Sequence, residues 1–406
     1  MRIAIVASDY APTVGGVQTA VRNIAHHAAR MGHAVTILSA LPRGNVLPTE
    51  VMDGIVVHRF PWGRRPLWSL PFRAAQTLIG MARVLWQFKP DLVYVHFLTI
   101  NALYVLLLHY VSPLRLPLRS VQGFGSWQGF TFVASARGND IQGIPQRSRL
   151  QRWMLTRLFQ RADAILFCSS YVQHDATPFL RNVSPSTFVG VVGDGFDPEE
   201  FAVPRPYKHE APYILAMGRL VHKKGFDLLI RAFASIAAEF SRVQLLIAGD
   251  GEERAALERL IDELPMRERI KLLGFADRAT SIALFCGCEF FVLSSRIEPF
   301  GIVVVEAMAA RKAVLATRSG GVIDLLQPGV NGLLVEPEVA ALANGMRALL
   351  ADPAETRVMG ERAYATIQNR TWAAVTKQYL DVFERVFSDT PLHSNASSAR
   401  GASMPK

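Results

Sequence analysis

The chain has 406 residues, 50% of them hydrophobic and 19% charged; that composition excludes a disordered or fibrous chain, and the length is a prior for two or three domains. Three cysteines are too few for a disulfide-stapled secreted scaffold and point to a reducing compartment. The net charge of +10 sits in the first half, where residues 1–205 hold 20 Lys/Arg against 11 Asp/Glu while residues 206–406 hold 24 against 23, so an anionic partner is expected there: nucleic acid, an anionic membrane surface or an acidic small substrate.

The opening MRIAIVASDY turns polar too early, at Ser8 and Asp9, for a signal peptide and reads as a buried parallel strand. A helical pattern, TAVRNIAHHAARMG, stops at Gly32 and leads into a second strand, AVTILSA. DGIVVHRF, DLVYVHF, FTFVASA and DAILFCS are further strands. Residues 92–111 have the length of a membrane span, but His96, Thr99, Asn101 and His109 interrupt them, and polar groups at a bilayer centre are expensive. A strand, LVYVHF, followed by a helix, INALYVLLLHYV, accounts for the same letters. The proline-rich FAVPRPYKHEAPY reads as a linker.

The rhythm then restarts. Strands APYILAMGRL, VQLLIAGDG, IKLLGF, EFFVLSS and AVLATRSG alternate with helices GFDLLIRAFASIAAEF, RAALERLIDEL and VVVEAMAARK. The expected fold is α/β: a Rossmann-like domain over 1–205, a second over 206–375, a C-terminal helix at 376–388 packing back on the first, and a disordered tail at 389–406. Ligands are expected at the carboxyl ends of the strands, in a cleft between the two domains. Cys168, Cys286 and Cys288 read as small buried residues, since Cys286-x-Cys288 lacks the second pair that a structural zinc site needs.

Arg219 and Lys224 sit just past a strand in GRLVHKKG, where both charges can face one anion. In EPFGIVVVE, seven residues separate Glu298 from Glu306. Pro299 and Gly301 mark a turn into a helix whose first amides, at Phe300, Gly301 and Ile302, are unpaired donors. A helix start beside Arg and Lys makes a diphosphate cradle that needs no metal. Glu298 can accept from sugar hydroxyls, and Glu306, two turns on, from a ribose diol. Each feature alone is weak: such a Glu pair is ordinarily a solvated helix face, and a lone Arg after a strand a surface ion pair. Their order at successive strand-to-helix junctions carries the reading.

GRLVHKKG, then GDG, EPFGIVVVE and Gly320–Gly321, resembles the retaining glycosyltransferases of family 4, which have the GT-B fold, over nearly the whole chain. PTVGGVQ resembles the family's first-domain glycine loop, and GDGFDPEEF its segment before the second domain, with Gly193-Asp194 where Pro-Asn is more usual. The resemblance implies two Rossmann-like domains facing each other across a cleft, and a sugar moved from a nucleoside diphosphate sugar to a glycan or lipid-linked acceptor in surface polysaccharide or lipopolysaccharide assembly. It implies that Arg219 and Lys224 bind the donor diphosphate, Glu298 the donor sugar and Glu306 the ribose. Gly15 and Gly16 would let amides approach the reacting groups, and Gly249, Gly251, Leu273 and Gly274 would border the nucleobase. It also implies same-face attack with no carboxylate nucleophile, no cofactor and no divalent metal; the second half has no DxD after a strand and no HxxxH.

One position departs. Where the family commonly has a histidine, in a segment like HGxD, SARGND places Arg137 ahead of Gly138, Asn139 and Asp140. Arginine cannot serve as a base near neutral pH but can bond hydroxyls or phosphate. Arg137 therefore reads as a positioning group, the alternatives being a catalytically silent nucleotide-sugar-binding protein or a GT-B nucleotide-sugar epimerase. DYAPTVGGVQ lacks the G-x-G-x-x-G of a Rossmann oxidoreductase.

Residues 59–89 hold Arg59, Arg64, Arg65, Arg73, Arg83 and Lys89 and no acid, with Trp62, Trp68, Phe72 and Trp86 interleaved; a second run holds Arg147, Arg149, Arg152, Arg157 and Arg161. They suit peripheral attachment to anionic lipid on the cytoplasmic face of a membrane, or else solvated helix faces with the aromatics in the core. No helix-turn-helix, zinc-finger or RNP-like pattern supports a nucleic-acid partner.

Overall fold

Apolar runs buried on both faces build the sheets, and the stretches between them cover those sheets with helices. The computed structural model describes residues 1–13, 15–42, 46–62, 70–111, 130–143, 148–203 and 205–389. Arg64, Arg65, Trp68, Arg147 and the tail from 390 onward, all named above, lie outside them. The chain divides into two units: Met1–Gly193 together with the segment from Trp372 onward, and Asp194–Thr371.

Among the described residues the first unit has an eight-stranded sheet. Its strands are β1 (Arg2–Ala7), β2 (Ala34–Ala40), β3 (Thr49–Met52), β4 (Ile55–Phe60), β5 (Leu92–His96), β6 (Thr131–Ala136), β7 (Ala164–Phe167) and β8 (Phe188–Val191). They lie in the order β3-β4-β2-β1-β5-β6-β7-β8, all parallel except the β3–β4 pair. That hairpin turns on Asp53 and Gly54, at φ 50° and 78°, which is the Asp-Gly chemistry of a tight antiparallel turn. β5 and β6 are buried at every position. Residues 92–111 are β5 followed by a helix, Ile100–Val111, and no described helix is long and apolar enough to cross a membrane.

Helix Ile100–Val111 packs between Leu70–Phe88 and Arg149–Arg161. Gly16–Arg30 packs on the C-terminal helix, Trp372–Asp389. The latter buries Tyr379 and Phe383 against Tyr94 of β5, with ring centroids 5.6 and 5.2 Å away.

The second unit is a six-stranded parallel sheet among the described residues: β9 (Tyr213–Met217), β10 (Gln244–Ala248), β11 (Ile270–Gly274), β12 (Phe291–Leu293), β13 (Val314–Thr317) and β14 (Leu333–Val335). The order is β11-β10-β9-β12-β13-β14, so the winding reverses between β9 and β12. Ile214, Phe233, Ile247, Phe290, Leu315 and Met346 belong to its core.

The units part at Gly193/Asp194 and not in FAVPRPYKHEAPY, because a residue before that segment and one within it are hydrogen-bonded into the second unit: Phe196 N–H donates to the Arg370 carbonyl (3.2 Å) and Tyr207 N–H to that of Ala283 (2.8 Å). The last helix begins at Trp372, earlier than the 376 expected. Cys168 and Cys288 are buried, Cys286 is half-buried, and all three are free thiols.

Candidate active site

The reversal point of the second sheet brings two loops together. β9 passes into Gly218-Arg219-Leu220 and the short turn His222–Lys224, which Gly225 closes at φ 64°. β12 passes into Ser294–Glu298. The amides of Arg296 and Ile297 donate to the Lys223 carbonyl (2.8 and 3.3 Å), and the Ser294 hydroxyl donates to that of Lys224 (3.0 Å). The Arg296 guanidinium adds two 2.7 Å bonds to Asp227.

Lys224 and Glu298 meet across these loops. Nζ lies 2.5 Å from Oε2, and the Ser295 hydroxyl donates to the same oxygen at 3.2 Å. The two side chains are 17% and 8% exposed, so this pair is a built feature and not a surface contact. The Glu298 amide donates to the Ser319 carbonyl (2.7 Å), and its own carbonyl accepts from Gly321 N–H (2.8 Å), so the Gly320–Gly321 pair seats Glu298.

Arg219 is exposed and makes no ion pair among the described residues. Lys223, a cation the motif reading passed over, has its pKa lowered by burial and by the charges of Lys224 and Arg219, against the pull of Glu298. Three cations within residues 219–224 against one buried carboxylate leave a positive field. Directly after Glu298, helix Ile302–Ala309 starts at Gly301 (φ 96°), and no described residue accepts from the amides of Phe300, Gly301 or Ile302. Cationic side chains beside open helix-start amides form an anion site.

Gly249 and Gly251 hold the Arg219 loop in place. A Cβ at Gly249 (φ 139°) would lie 1.9 Å from the Gly218 carbonyl oxygen, and one at Gly251 would lie 2.4 Å from that of Leu220. Gly274, at the end of β11, accepts from Gly249 N–H at 2.7 Å, beside the half-buried Leu273.

Glu306 is 7% exposed and has a protein partner: Arg278 Nη1 bonds its carboxylate, while the same guanidinium holds Glu200 through Nε at 3.0 Å. Burial raises the Glu306 pKa against the lowering effect of Arg278. Nothing in the sequence marked Arg278, which lies far from either motif and follows the N-cap Asp277.

In the first unit, the expected residues follow neighbouring strands. Gly15 precedes helix Gly16–Arg30, which covers β1; a Cβ at Gly15 would meet only the flexible Gln18 side chain, at 2.7 Å. Arg137 follows β6 and is 7% exposed. Its Nη1 donates to the Tyr379 hydroxyl (3.2 Å), which donates to the Val192 carbonyl (3.0 Å). Beneath it, burial first and Arg137 second push the His96 pKa well down, so that imidazole is neutral. Asp140 accepts from the amides of Leu98 (2.9 Å), Arg137 (3.0 Å) and Gly138 (2.8 Å), which fixes the turn carrying Arg137.

Residues 198–366 match the family described as Glycosyl transferases group 1, and residues 15–189 match the Glycosyl transferase 4-like domain. The chain belongs to glycosyltransferase family 4. This family 4 glycosyltransferase is 29% identical to the GDP-mannose-dependent alpha-mannosyltransferase of Mycolicibacterium smegmatis, over 97% of this chain and 100% of that one. Among solved structures, sucrose-phosphate synthase from Thermosynechococcus elongatus superposes with a TM-score of 0.76 at 21% identity, covering 96% of this chain and 100% of that one. Anabaena HepE, solved with UDP and glucose, superposes at 0.73 and 20% identity, covering 95% and 99%. The fold of the two units is therefore GT-B. These matches are to transferases and synthases and do not favour an epimerase or a silent binding protein.

Asp140 gives this glycosyltransferase a testable acid response. Burial raises its pKa from 3.8 to about 6, against the three amides that favour the anion. A carboxyl that holds its proton more tightly when folded supports the fold fully below its unfolded pKa, and that support is lost as pH rises through about 6. Between about pH 4 and about pH 7, the melting temperature of Asp140→Asn is expected to vary less steeply than that of the parent. Equal slopes would remove Asp140 as the titrating group.

Proposed function

We propose that this family 4 glycosyltransferase is a retaining, metal-independent hexosyltransferase. It moves a sugar from a nucleoside diphosphate sugar to a glycan or lipid-linked acceptor on the cytoplasmic face of a membrane, in surface polysaccharide or lipopolysaccharide assembly. The observation that carries the reading is the exposed Arg219, without an ion pair among the described residues, beside Lys223 and Lys224 at the β9–β12 reversal, next to the amides of Phe300, Gly301 and Ile302, from which no described residue accepts. Such a field suits the two phosphates of a donor. The M. smegmatis relative is named for GDP-mannose, and HepE was solved with UDP, both nucleoside diphosphate chemistries.

In this mechanism the sugar–phosphate bond lengthens and negative charge gathers on the departing diphosphate. Arg219, Lys223 and Lys224 stabilise that charge where it develops, which lowers the barrier directly. Glu298, paired with Lys224, accepts hydrogen bonds from the donor sugar's hydroxyls and steadies the cationic sugar ring. The leaving phosphate takes the acceptor's proton on the same face, so configuration is kept and no carboxylate attacks. Glu306 receives the ribose once Arg278 yields it, and Arg137 orients hydroxyls on the acceptor side.

The test is a thermal-shift panel of UDP-, GDP- and ADP-sugars, each with and without a chelator. One nucleotide is expected to stabilise the protein by about 2.7 kcal/mol at a concentration a hundredfold above its Kd, with or without chelator. No shift from any of the three would overturn the donor assignment. A shift, or transfer, that needs added magnesium would overturn metal independence.

A further inference from the structure

We propose that the outer face of the three-helix layer in the first unit docks on an anionic lipid bilayer. The layer is formed by helices Leu70–Phe88, Ile100–Val111 and Arg149–Arg161, each packed on the next. None of the three contains an Asp or Glu. Each nevertheless shows large apolar side chains to solvent: Phe72 and Ile79 are 77% and 64% exposed, Leu107 and Tyr110 are 41% and 37%, and Leu150 and Trp153 are 69% and 52%. Exposed Arg83, Arg149, Arg152 and Arg157 lie on the same helices, and none is ion-paired among the described residues. Arg161 ties two of the helices together, with Nε 3.1 Å from the Tyr110 hydroxyl and the guanidinium 4.7 Å from the centre of that ring.

The surface differs from the 59–89 segment that the sequence suggested. Arg59 is buried, held by the carbonyls of Leu47 and Ala11 and by Glu50. Arg73 is buried too, and Trp62 is stacked on Phe60 and Tyr104 inside the core. What the described residues of that segment expose is the outer side of one helix, and the two following helices extend it.

Charge and apolarity together select the occupant. A second copy would bring the same acid-free basic face against this one, and like charges across an interface repel. A nucleic acid would satisfy the arginines but leave Phe72, Leu150 and Trp153 against a polar backbone. An anionic bilayer answers both needs: headgroups pair with the arginines, while the aromatic and aliphatic side chains enter the interface. The surface is made of first-unit residues only and shares none with the proposed donor site, so it stands or falls apart from the donor assignment.

Sedimentation of the full chain with vesicles tests it. The protein is expected to sediment with vesicles of equal parts phosphatidylcholine and phosphatidylglycerol, to stay in solution with phosphatidylcholine alone, and to be released as salt rises. Arg152→Gln and Arg157→Gln should each weaken binding about fivefold, and Trp153→Ser should also weaken it, with melting temperatures at the parental value because these side chains are exposed. Val358→Ser, on an exposed position of the second unit, should leave binding unchanged. Equal binding to both vesicle types, no binding by the parent at low salt, or Arg152→Gln, Arg157→Gln and Trp153→Ser proteins that all bind like the parent would overturn the proposal. A dimer that Trp153→Ser dissociates would assign the face to a second copy instead.

Discussion

Arg219→Ala is expected to lower kcat about a hundredfold or more while leaving the melting temperature where it was. The two halves of that result have separate causes. Arg219 is exposed and makes no ion pair among the described residues, so its removal breaks no contact that supports the fold. In the proposed mechanism its work begins when charge moves onto the departing diphosphate, and losing one preorganised group at such a point costs about a hundredfold to a thousandfold in kcat. Lys224 is a poorer probe. Its alanine variant leaves the 8%-exposed Glu298 side chain without a counter-charge, so any lost activity would mix with lost structure. Steady-state kinetics with the preferred donor, beside a melting curve, give the comparison. A parental kcat would place the leaving group elsewhere.

The second large effect is expected from Gly225→Ala, and it is an effect on the fold. A Cβ there would sit 2.1 Å from the Ser294 carbonyl oxygen, on a residue whose φ is 64°. The left-handed conformation alone costs about 1 kcal/mol for alanine. The contact with a fixed backbone oxygen forces the β9 and β12 loops apart, and the total is expected to reach about 3 kcal/mol or more. For a unit of this size that lowers the melting temperature by roughly 6–12 °C. Gly54→Ala is the control: its φ of 78° is equally left-handed, but nothing lies within 4 Å of the added carbon. If Gly225→Ala melts no lower than Gly54→Ala, close backbone approach is not what demands glycine at 225.

Most of the strands readable from sequence are buried on both faces; β11, an edge strand with only Ile270 buried, is an exception. β1, β5, β6, β9, β10 and β12 announce themselves as apolar runs because each has a sheet neighbour on either side and helices above and below. The strands the letters did not show, β3, β8 and β14, are all sheet edges with incomplete burial. An edge strand carries a half-apolar pattern that a turn or loop can carry equally well. The site divides the same way. Arg219, Lys224 and Glu298 follow strands in short local motifs, so spacing alone brings them to one reversal point. Arg278 reaches Glu306 and Glu200 through the third dimension, 28 and 78 positions away along the chain, and no local pattern encodes that distance. Gly249 and Gly251 were expected only to border the nucleobase; that they let one loop lie against another's carbonyl oxygens depends on a contact between separate loops, which no local pattern encodes.

The arrangement of the two units has a consequence for how the protein is made. The second unit is an uninterrupted stretch, Asp194–Thr371, inserted into the first. The Arg137 guanidinium waits for a tyrosine hydroxyl 242 residues further along the chain. On the ribosome, therefore, the lobe whose synthesis starts earlier is completed later: its neighbour can mature while Tyr94, Arg137 and the strand end at Val192 still lack the helix that closes over them. A nascent chain released short of Trp372 carries a finished second unit and a first unit with its aromatic floor open to water.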